Sequence, residues 1–130
     1  MHVNEIGALA EIKVAARLME QGYIVSKPVF GDARYDLLAD NGSIHRVQCK
    51  NGRLRNGVVK FKTRSHCAFT GADSPYTSDE IEFFGVYCPE LETVYLVPVG
   101  DVPQDKGHLR VEPTKNGQVK GITLAASYLL

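Results

Sequence analysis

The chain has 130 residues, 44% of them hydrophobic, and its 15 Lys and Arg balance its 15 Asp and Glu. This length predicts a single domain over residues 1–130, and the ordinary globular composition excludes disordered and collagen-like classes. No apolar run approaches the about 18 residues of a membrane span, and acidic residues interrupt the N-terminal segment, so we expect neither a membrane protein nor a signal peptide. The three cysteines, Cys49, Cys67 and Cys88, have no close spacing, which argues against disulfides or zinc and favours a reducing, cytoplasmic location.

The zero net charge is the sum of two oppositely charged blocks. Residues 41–72 contain seven basic residues and no acidic one, whereas residues 73–105 contain eight acidic residues and no basic one. Such segregation permits a basic surface that binds phosphate. It equally permits pairing between the two blocks.

The first predicted element is a helix over residues 4–21. Asn4 is a suitable N-cap, and Gly22 suits the left-handed position after the last turn. Charged residues at helical spacing form the predicted solvent face: Lys13, Arg17 and Glu20. Glu11 lies off that face, among small and apolar neighbours. A carboxylate there is costly unless a partner or a metal meets it, or unless its stem reaches water.

Predicted strands follow the helix. Residues Tyr23–Phe30 form the first, which a Gly31-Asp32 turn ends, and residues 35–40 and 44–50 form a hairpin around Asn41-Gly42.

The hairpin register follows from the hydrophobic pattern. A three-residue loop or a bulge pairs Leu37 with Val47, makes one face mostly apolar and leaves Asp36, Arg46 and Gln48 on the other. A two-residue loop would instead pair Asp36 with Val47. Burial of one face fixes a register, so we expect the first pairing, with Asp36 directly opposite Gln48.

The remaining predicted elements are a strand at Val58–Thr63, after a loop over residues 51–57, and a hairpin of Ile81–Cys88 with Thr93–Val99 around Pro89–Glu92. Pro98 predicts a sheet edge. The tail, Ile122–Leu130, is either a helix or a short strand followed by a helix. One helix, several strands and a second helical stretch predict an α/β or α+β domain.

Side chains on three elements favour one chemistry: Glu11 on the helix, Asp36 on one hairpin strand, and Gln48 with Lys50 on the other. Strand alternation directs Gln48 and Lys50 to the side of Asp36, and Cys49 to the core. Carboxylate and amide oxygens are hard ligands suited to Mg²⁺, which also binds substrate phosphate. A nearby lysine stabilises the charge of a pentavalent phosphorus or orients the attacking water.

The pattern of Glu11, then Arg34-Tyr35-Asp36, then Gln48-Cys49-Lys50 resembles the PD-(D/E)XK nuclease superfamily. The helix-first layout and the length are similar to two of its branches. One is the small homing endonucleases of group I introns, whose motif ends in Gln-x-Lys as here. The other is the archaeal Holliday-junction resolvases, which usually have Glu-x-Lys. The segment Tyr95–Val99 is also similar to the intron branch, and the resemblance covers residues 5–100.

The resemblance implies a restriction-endonuclease-like core with a mixed central sheet flanked by helices. It implies that Asp36 is the central metal ligand, Gln48 a neutral ligand, Glu11 an outer or second-metal ligand and Lys50 the catalytic lysine, with Mg²⁺ or Mn²⁺ as the cofactor. Arg34-Tyr35 replaces the usual proline-containing lead-in. Gln48 replaces an acid, which should weaken metal affinity and leaves a catalytically inactive copy as an alternative.

The basic block supplies candidate DNA contacts. Alternation places Lys60, Lys62 and Arg64 on one strand face, and a purely solvated face is the alternative interpretation. The full predicted DNA-binding set is Arg46, Arg53, Arg55, Lys60, Lys62 and Arg64, which would grip phosphates without reading sequence.

The leading hypothesis is therefore a Mg²⁺-dependent DNA endonuclease similar to an intron homing endonuclease. One site per chain implies a homodimer or homotetramer for cutting both strands. A Holliday-junction resolvase acting on branched DNA and an inactive DNA-binding protein of the same fold are the alternatives.

The histidines lack metal-ligand spacing, the cysteines lack an activating base, and Tyr76 is expected to pack rather than to stack on a base.

Overall fold

The computed structural model describes residues 1–31, 33–66, 73–112 and 122–130. Its helix α1 spans Val3–Glu20. The strands are β1 (Ile24–Ser26), β2 (Leu37–Asp40), β3 (Ile44–Asn51), β4 (Arg53–Arg55), β5 (Val58–Lys62), β6 (Arg64–His66), β7 (Asp73–Pro75), β8 (Phe83–Cys88), β9 (Thr93–Pro98) and β10 (Lys106–Arg110). Short 3₁₀ turns lie at Val99–Asp101 and Ala125–Tyr128.

The central sheet has five strands in the order β1-β2-β3-β8-β9. Neighbouring strands are antiparallel except β3 and β8, which are parallel, so the sheet is mixed as predicted. Helix α1 buries Ala10, Val14 and Leu18 against one face. The predicted fold class is confirmed, and a second sheet in the order β10-β5-β4 packs its apolar side chains on the other face.

Helix α1 begins two residues after the start of the chain. The side chain of His2, rather than the predicted Asn4, caps it: His2 Nδ1 accepts a hydrogen bond from the Asn4 backbone N–H at 3.1 Å. The helix ends as expected, with Gly22 at φ 92°, a conformation that glycine adopts without steric penalty. Of the predicted solvent face, Arg17 is half-buried because its Nε donates to the Leu130 carbonyl at 2.7 Å.

The register predicted for the first hairpin is confirmed. Leu37 pairs with Val47 and Asp40 with Ile44, across a three-residue loop. The strand predicted over residues 23–30 is only β1, because Pro28 has no N–H to donate and the chain bends after it. The turn predicted to follow includes Asp32, which lies outside the described residues.

The segment from Asn51 to Gly57 is not the predicted loop. Strand β3 continues through Asn51, and β4 pairs with β5 across a two-residue turn in which Asn56 and Gly57 have φ values of 52° and 74°. An Asn-Gly turn of this kind is the sequence signal of a hairpin. The second sheet therefore begins immediately after the strand that carries Gln48 and Lys50.

The second predicted hairpin is confirmed as β8 and β9, and Pro98 ends a strand at the edge of the central sheet. The tail contains neither of the predicted α-helices nor a strand: single bridges at Leu124 and Leu129 flank a 3₁₀ turn. Within the described residues, no helix has the length and apolar character needed to cross a membrane.

The contact of α1 with β8 depends on Gly85. An alanine Cβ at this position would lie 2.6 Å from Val14 Cγ1 and 3.0 Å from Val47 Cγ1. We expect Gly85→Ala to lower the free energy of unfolding by about 1–3 kcal/mol, because overpacking forces the helix away from the sheet. Gly7→Ala is the matched control. Gly7 lies in α1 with open space around it, and the alanine should stabilise the protein by about 0.5–1 kcal/mol. Urea denaturation measures both, and equal effects would contradict the packing.

Candidate active site

Asp36 lies immediately before β2 and is held against β3 by two hydrogen bonds. Its backbone N–H donates to the Val47 carbonyl at 2.9 Å, and its Oδ2 accepts from the Cys49 backbone N–H at 2.9 Å. The β2–β3 pairing begins at Leu37, one residue after Asp36. The Asp36 carboxylate therefore lies at the end of this strand pair, hydrogen-bonded to the β3 backbone. One carboxylate oxygen is thus fixed, while Oδ1 accepts no hydrogen bond from the described residues.

Gln48 and Lys50 occupy alternate positions on β3 and are half-buried, whereas Cys49 between them is buried on the helix side. This is the predicted alternation. Lys50 reaches toward the second layer of the molecule: its Nζ lies 5.0 Å from the centroid of the Tyr76 ring and 3.5 Å from the Arg64 carbonyl oxygen. A cation held over an aromatic face is stabilised electrostatically, and its side chain loses freedom.

Glu11 is half-buried at the boundary of the apolar face of α1, and its carboxylate forms an ion pair with Lys27. Lys27 follows β1 and carries no motif in the sequence that would mark it. The carboxylate therefore has the partner that its apolar surroundings require.

The charges of these side chains interact. Burial raises the pKa of the Asp36 carboxyl, and the negative charge of Glu11 raises it further, against the opposing effects of the Cys49 N–H, Lys50 and Lys27. Burial also lowers the pKa of the Lys50 ammonium, as do the charges of Lys62 and Arg34, while Asp36 opposes the shift. The structure thus brings both Glu11 and Lys50 within electrostatic reach of Asp36.

Arg34 is a residue whose importance the sequence did not reveal. Its guanidinium pairs with Glu80 (Nε to Oε2, 2.7 Å), donates to the Pro75 carbonyl at 2.8 Å and to the Ser65 hydroxyl, and lies 4.1 Å from the centroid of the Tyr76 ring. Arg34 thereby fastens the chain just before Asp36 to β6 and β7. Tyr76 is buried and packs edge-on against Phe84, so its expected packing role is confirmed.

The predicted DNA-binding residues divide into two groups. Arg46 is engaged internally, because its guanidinium pairs with Glu82 and its Nη1 donates to the Asp79 carbonyl at 2.7 Å. The predicted alternation after Val58 is confirmed, since Val59, Phe61 and Thr63 are buried. The remaining basic residues are exposed or half-buried and form no ion pair within the described part of the chain: Arg53, Arg55, Lys60, Lys62 and Arg64.

Other candidates have structural roles. Cys49 and Cys88 are buried thiols, and burial raises the pKa of both, whereas Cys67 lies outside the described residues. His45 packs edge-on against Phe83.

Comparison with known proteins identifies the class. The profile of the family described as PD-(D/E)XK endonuclease matches residues 1–130, so the chain belongs to the PD-(D/E)XK endonuclease family. The predicted resemblance and the predicted endonuclease class are confirmed at this level.

A solved structure has the same fold. The bacterial homing endonuclease I-Ssp6803I aligns with a TM-score of 0.78 and 23% sequence identity, over 99% of this chain and 89% of that chain. None of the curated proteins compared with the chain matches it.

Nucleases of this family generally use divalent metal ions, and the donor set here fits one. No three His, Cys, Asp or Glu side chains form a metal-binding cluster within residues 1–31, 33–66, 73–112 and 122–130, but Mg²⁺ is commonly held by one or two carboxylates and completes its coordination with water. Gln48 is half-buried on β3 next to Cys49, whose N–H donates to the partly buried Asp36 carboxylate, and the charge of Glu11 acts on that carboxylate. Burial is the main cause of the raised pKa of Asp36, and the charge of Glu11 adds to it. A divalent cation would stabilise both carboxylates in their charged form.

Removing the buried charge of Asp36 should stabilise the metal-free protein. Because the folded-state pKa is raised, the folded state binds more protons than the unfolded chain, and stability falls as pH rises above about 3.9, the unfolded value. We expect Asp36→Asn, which keeps an acceptor for the Cys49 N–H, to have a higher Tm than the wild type in EDTA at pH 7. This difference should shrink toward pH 4.

Thermal unfolding followed by circular dichroism measures that difference. Glu20→Gln, which removes an exposed carboxylate at the end of α1, is the control and should leave the Tm nearly unchanged. An Asp36→Asn protein no more stable than the wild type at pH 7 would show that burial of this charge carries no penalty.

Because Arg34 anchors this segment, replacing it with lysine should lower stability more than the same change at an exposed arginine. Arg34→Lys keeps the charge but loses the planar donor set that reaches Glu80, Ser65 and Pro75. We expect the free energy of unfolding to fall by about 1.5–3 kcal/mol, the range for hydrogen bonds to charged groups. Arg53→Lys, on the exposed strand β4, should change it by less than about 0.5 kcal/mol. Similar urea midpoints for the two variants would contradict the role of Arg34.

Proposed function

We propose that the protein is a Mg²⁺-dependent DNA endonuclease of the homing type. In this proposal Asp36, Gln48 and Glu11 are the metal ligands and Lys50 is the catalytic lysine. The observation that carries it is the partly buried Asp36 carboxylate, whose charge interacts with Glu11 and with Lys50. Family membership and the fold shared with a homing endonuclease support it, and no observation favours a Holliday-junction resolvase.

Each side chain has a distinct task in the proposed reaction. A bound Mg²⁺ supplies an acidified water and neutralises charge on the phosphate. Asp36 is held rigidly by the Cys49 N–H, which fixes its free oxygen. Lys50 is held between the Tyr76 ring and the Arg64 carbonyl, where its ammonium would stabilise charge on the scissile phosphate or orient the attacking water.

Gln48 sets the charge of the proposed site. With an amide in place of an acid, Asp36 and Glu11 supply the only two negative charges among the described candidate ligands. We expect Gln48→Glu to bind Mg²⁺ or Mn²⁺ more tightly and Gln48→Leu to bind it more weakly, by isothermal titration calorimetry. Equal metal affinity in both variants would remove Gln48 from the ligand set.

Cleavage of both strands of duplex DNA requires two sites. We therefore propose that the chain acts as a homodimer or homotetramer. Ile12 and Met19 are exposed apolar side chains seven residues apart on one face of α1, which offers a surface for such self-contact.

Cleavage assays test the proposed activity. Purified protein is incubated with supercoiled plasmid, a linear duplex and a synthetic four-way junction, each with Mg²⁺ and with EDTA. We expect Mg²⁺-dependent cutting of duplex DNA. Cutting of the junction alone would indicate a resolvase, and binding without cutting of any substrate would indicate an inactive protein of this fold.

Substitution of the site tests the assignments. Lys50→Met should lower the single-turnover cleavage rate by about 100-fold or more, since it removes a positive charge at the reacting phosphate. Lys13→Met, an exposed cation of α1, is the matched control and should cut at the wild-type rate. Wild-type cleavage by Lys50→Met would show that Lys50 is not the catalytic lysine.

A further inference from the structure

The second sheet has one face made almost entirely of basic side chains. Antiparallel pairing aligns residues across its three strands, and directly paired residues project to the same face. The aligned sets are Arg53 with Lys60 and His108, Lys62 with Lys106, and Arg55 with Val58 and Arg110. Six of these eight residues are Lys or Arg, one is a histidine, and none is acidic.

The opposite face of this sheet shows why the basic side chains point outward. Val59, Phe61 and Leu109 are buried in the core beneath the central sheet, with Leu54 partly buried beside them. Strand alternation then directs their neighbours to solvent. The third strand, β10, has the pattern Lys106-Gly107-His108-Leu109-Arg110 and the period-two burial of a strand with one solvent face.

This face is electrostatically unfavourable in isolation. Like charges directly opposite each other on neighbouring strands are destabilising, as for Arg53 with Lys60 and for Lys62 with Lys106. The pKa of His108 is lowered, first by partial burial and then by the charges of Lys60 and Lys106.

The nearby acids lie at the margins of the face. Asp105, immediately before β10, lines a cavity of about 390 Å³ together with Lys106, His108 and Arg110, and Glu112 lies against Gly57 in the β4–β5 turn. The described residues contain no ion pair that neutralises a cation of this face. Its unpaired charge is therefore suited to an anionic partner.

The basic face adjoins the candidate active site. Strand β4 follows β3 after a single residue, Gly52, whose N–H donates to the Tyr87 carbonyl at 2.7 Å. Lys62 on β5 is close enough for its charge to lower the pKa of Lys50. A polymer bound at Lys50 would therefore continue onto this face.

We propose that this face, with β10 as its third strand, binds the sugar–phosphate backbone of duplex DNA beside the site of cleavage. The proposal rests on the proposed endonuclease function and adds Lys106, His108 and Arg110 to the DNA contacts. Neighbouring strands lie about 4.8 Å apart and alternate residues of one strand about 6.7 Å apart, so the cations cover an extended surface rather than one pocket. Such a surface fits a polyanion, and backbone contacts of this kind supply affinity without reading sequence.

Binding measurements with β10 variants test the proposal. Fluorescence anisotropy with two short duplexes of unrelated sequence, in EDTA to prevent cleavage, gives Kd as a function of salt. For Lys106→Gln with Arg110→Gln we expect the slope of log K against log salt to decrease by about 1.8, or about 0.9 for each lost phosphate contact, and affinity to fall equally for both duplexes.

Lys13→Gln, which removes an exposed cation on α1 outside this face, should leave the slope unchanged. The β10 variant should unfold at or above the wild-type Tm, since it removes like-charge repulsion, so weaker binding cannot be attributed to unfolding. If the wild type binds with a steep salt dependence and the β10 variant binds identically, the proposed surface is wrong and the endonuclease proposal stands. If the wild type binds neither duplex, the proposed surface is also wrong, and the cleavage assays with Mg²⁺ decide the endonuclease proposal separately.

Discussion

The hydrogen bond from the Cys49 N–H to the Asp36 carboxylate ties the candidate active site to the centre of the molecule. It joins the residue before β2 to a strand whose other side chains include Gln48 and Lys50. Strand β3 is itself central, with β2 on one side and β8 on the other. Because the ligands and the lysine of a nuclease must be held within fractions of an ångström, a site built on this strand gains its rigidity from the sheet.

The same position creates an electrostatic conflict. Asp36 and Lys50 are both partly removed from water. Burial raises the pKa of Asp36 and lowers that of Lys50, so it favours the neutral form of each side chain. Stability alone would favour apolar residues at both positions. Charged residues kept at positions where they lower stability are typical of functional sites. Here these residues belong to the family motif.

The charges that cancel in the sequence pair only in part in the folded protein. Part of the basic block pairs with the acidic block, as Arg46 does with Glu82, and Arg34 from outside the block pairs with Glu80. These pairs fasten the segments around the site. The exposed face of the second sheet keeps its charge unpaired within the described residues and gains further cations from β10, which begins where the acidic block ends. The net charge of the chain is zero, but its surface still carries a basic face with no ion pair among the described residues.

The sequence by itself determined the features that depend on local pattern. The hairpin register follows from which face is apolar, the alternation of Gln48, Cys49 and Lys50 follows from the strand period, and Gly22 ends the helix because it tolerates positive φ. The motif also indicated the nuclease family. These inferences concern residues a few positions apart, for which chain geometry leaves few options.

Only the tertiary structure decided what depends on contacts between distant segments. Lys27 meets Glu11, and Arg34 meets Glu80, across 16 and 46 positions of sequence, and no local pattern marks either pair. The pairing of β10 with β5 and the parallel pairing of β3 with β8 are likewise non-local. Charges act through space rather than along the chain, so which cations are neutralised and which remain for a phosphate partner is settled only when the sheets have packed.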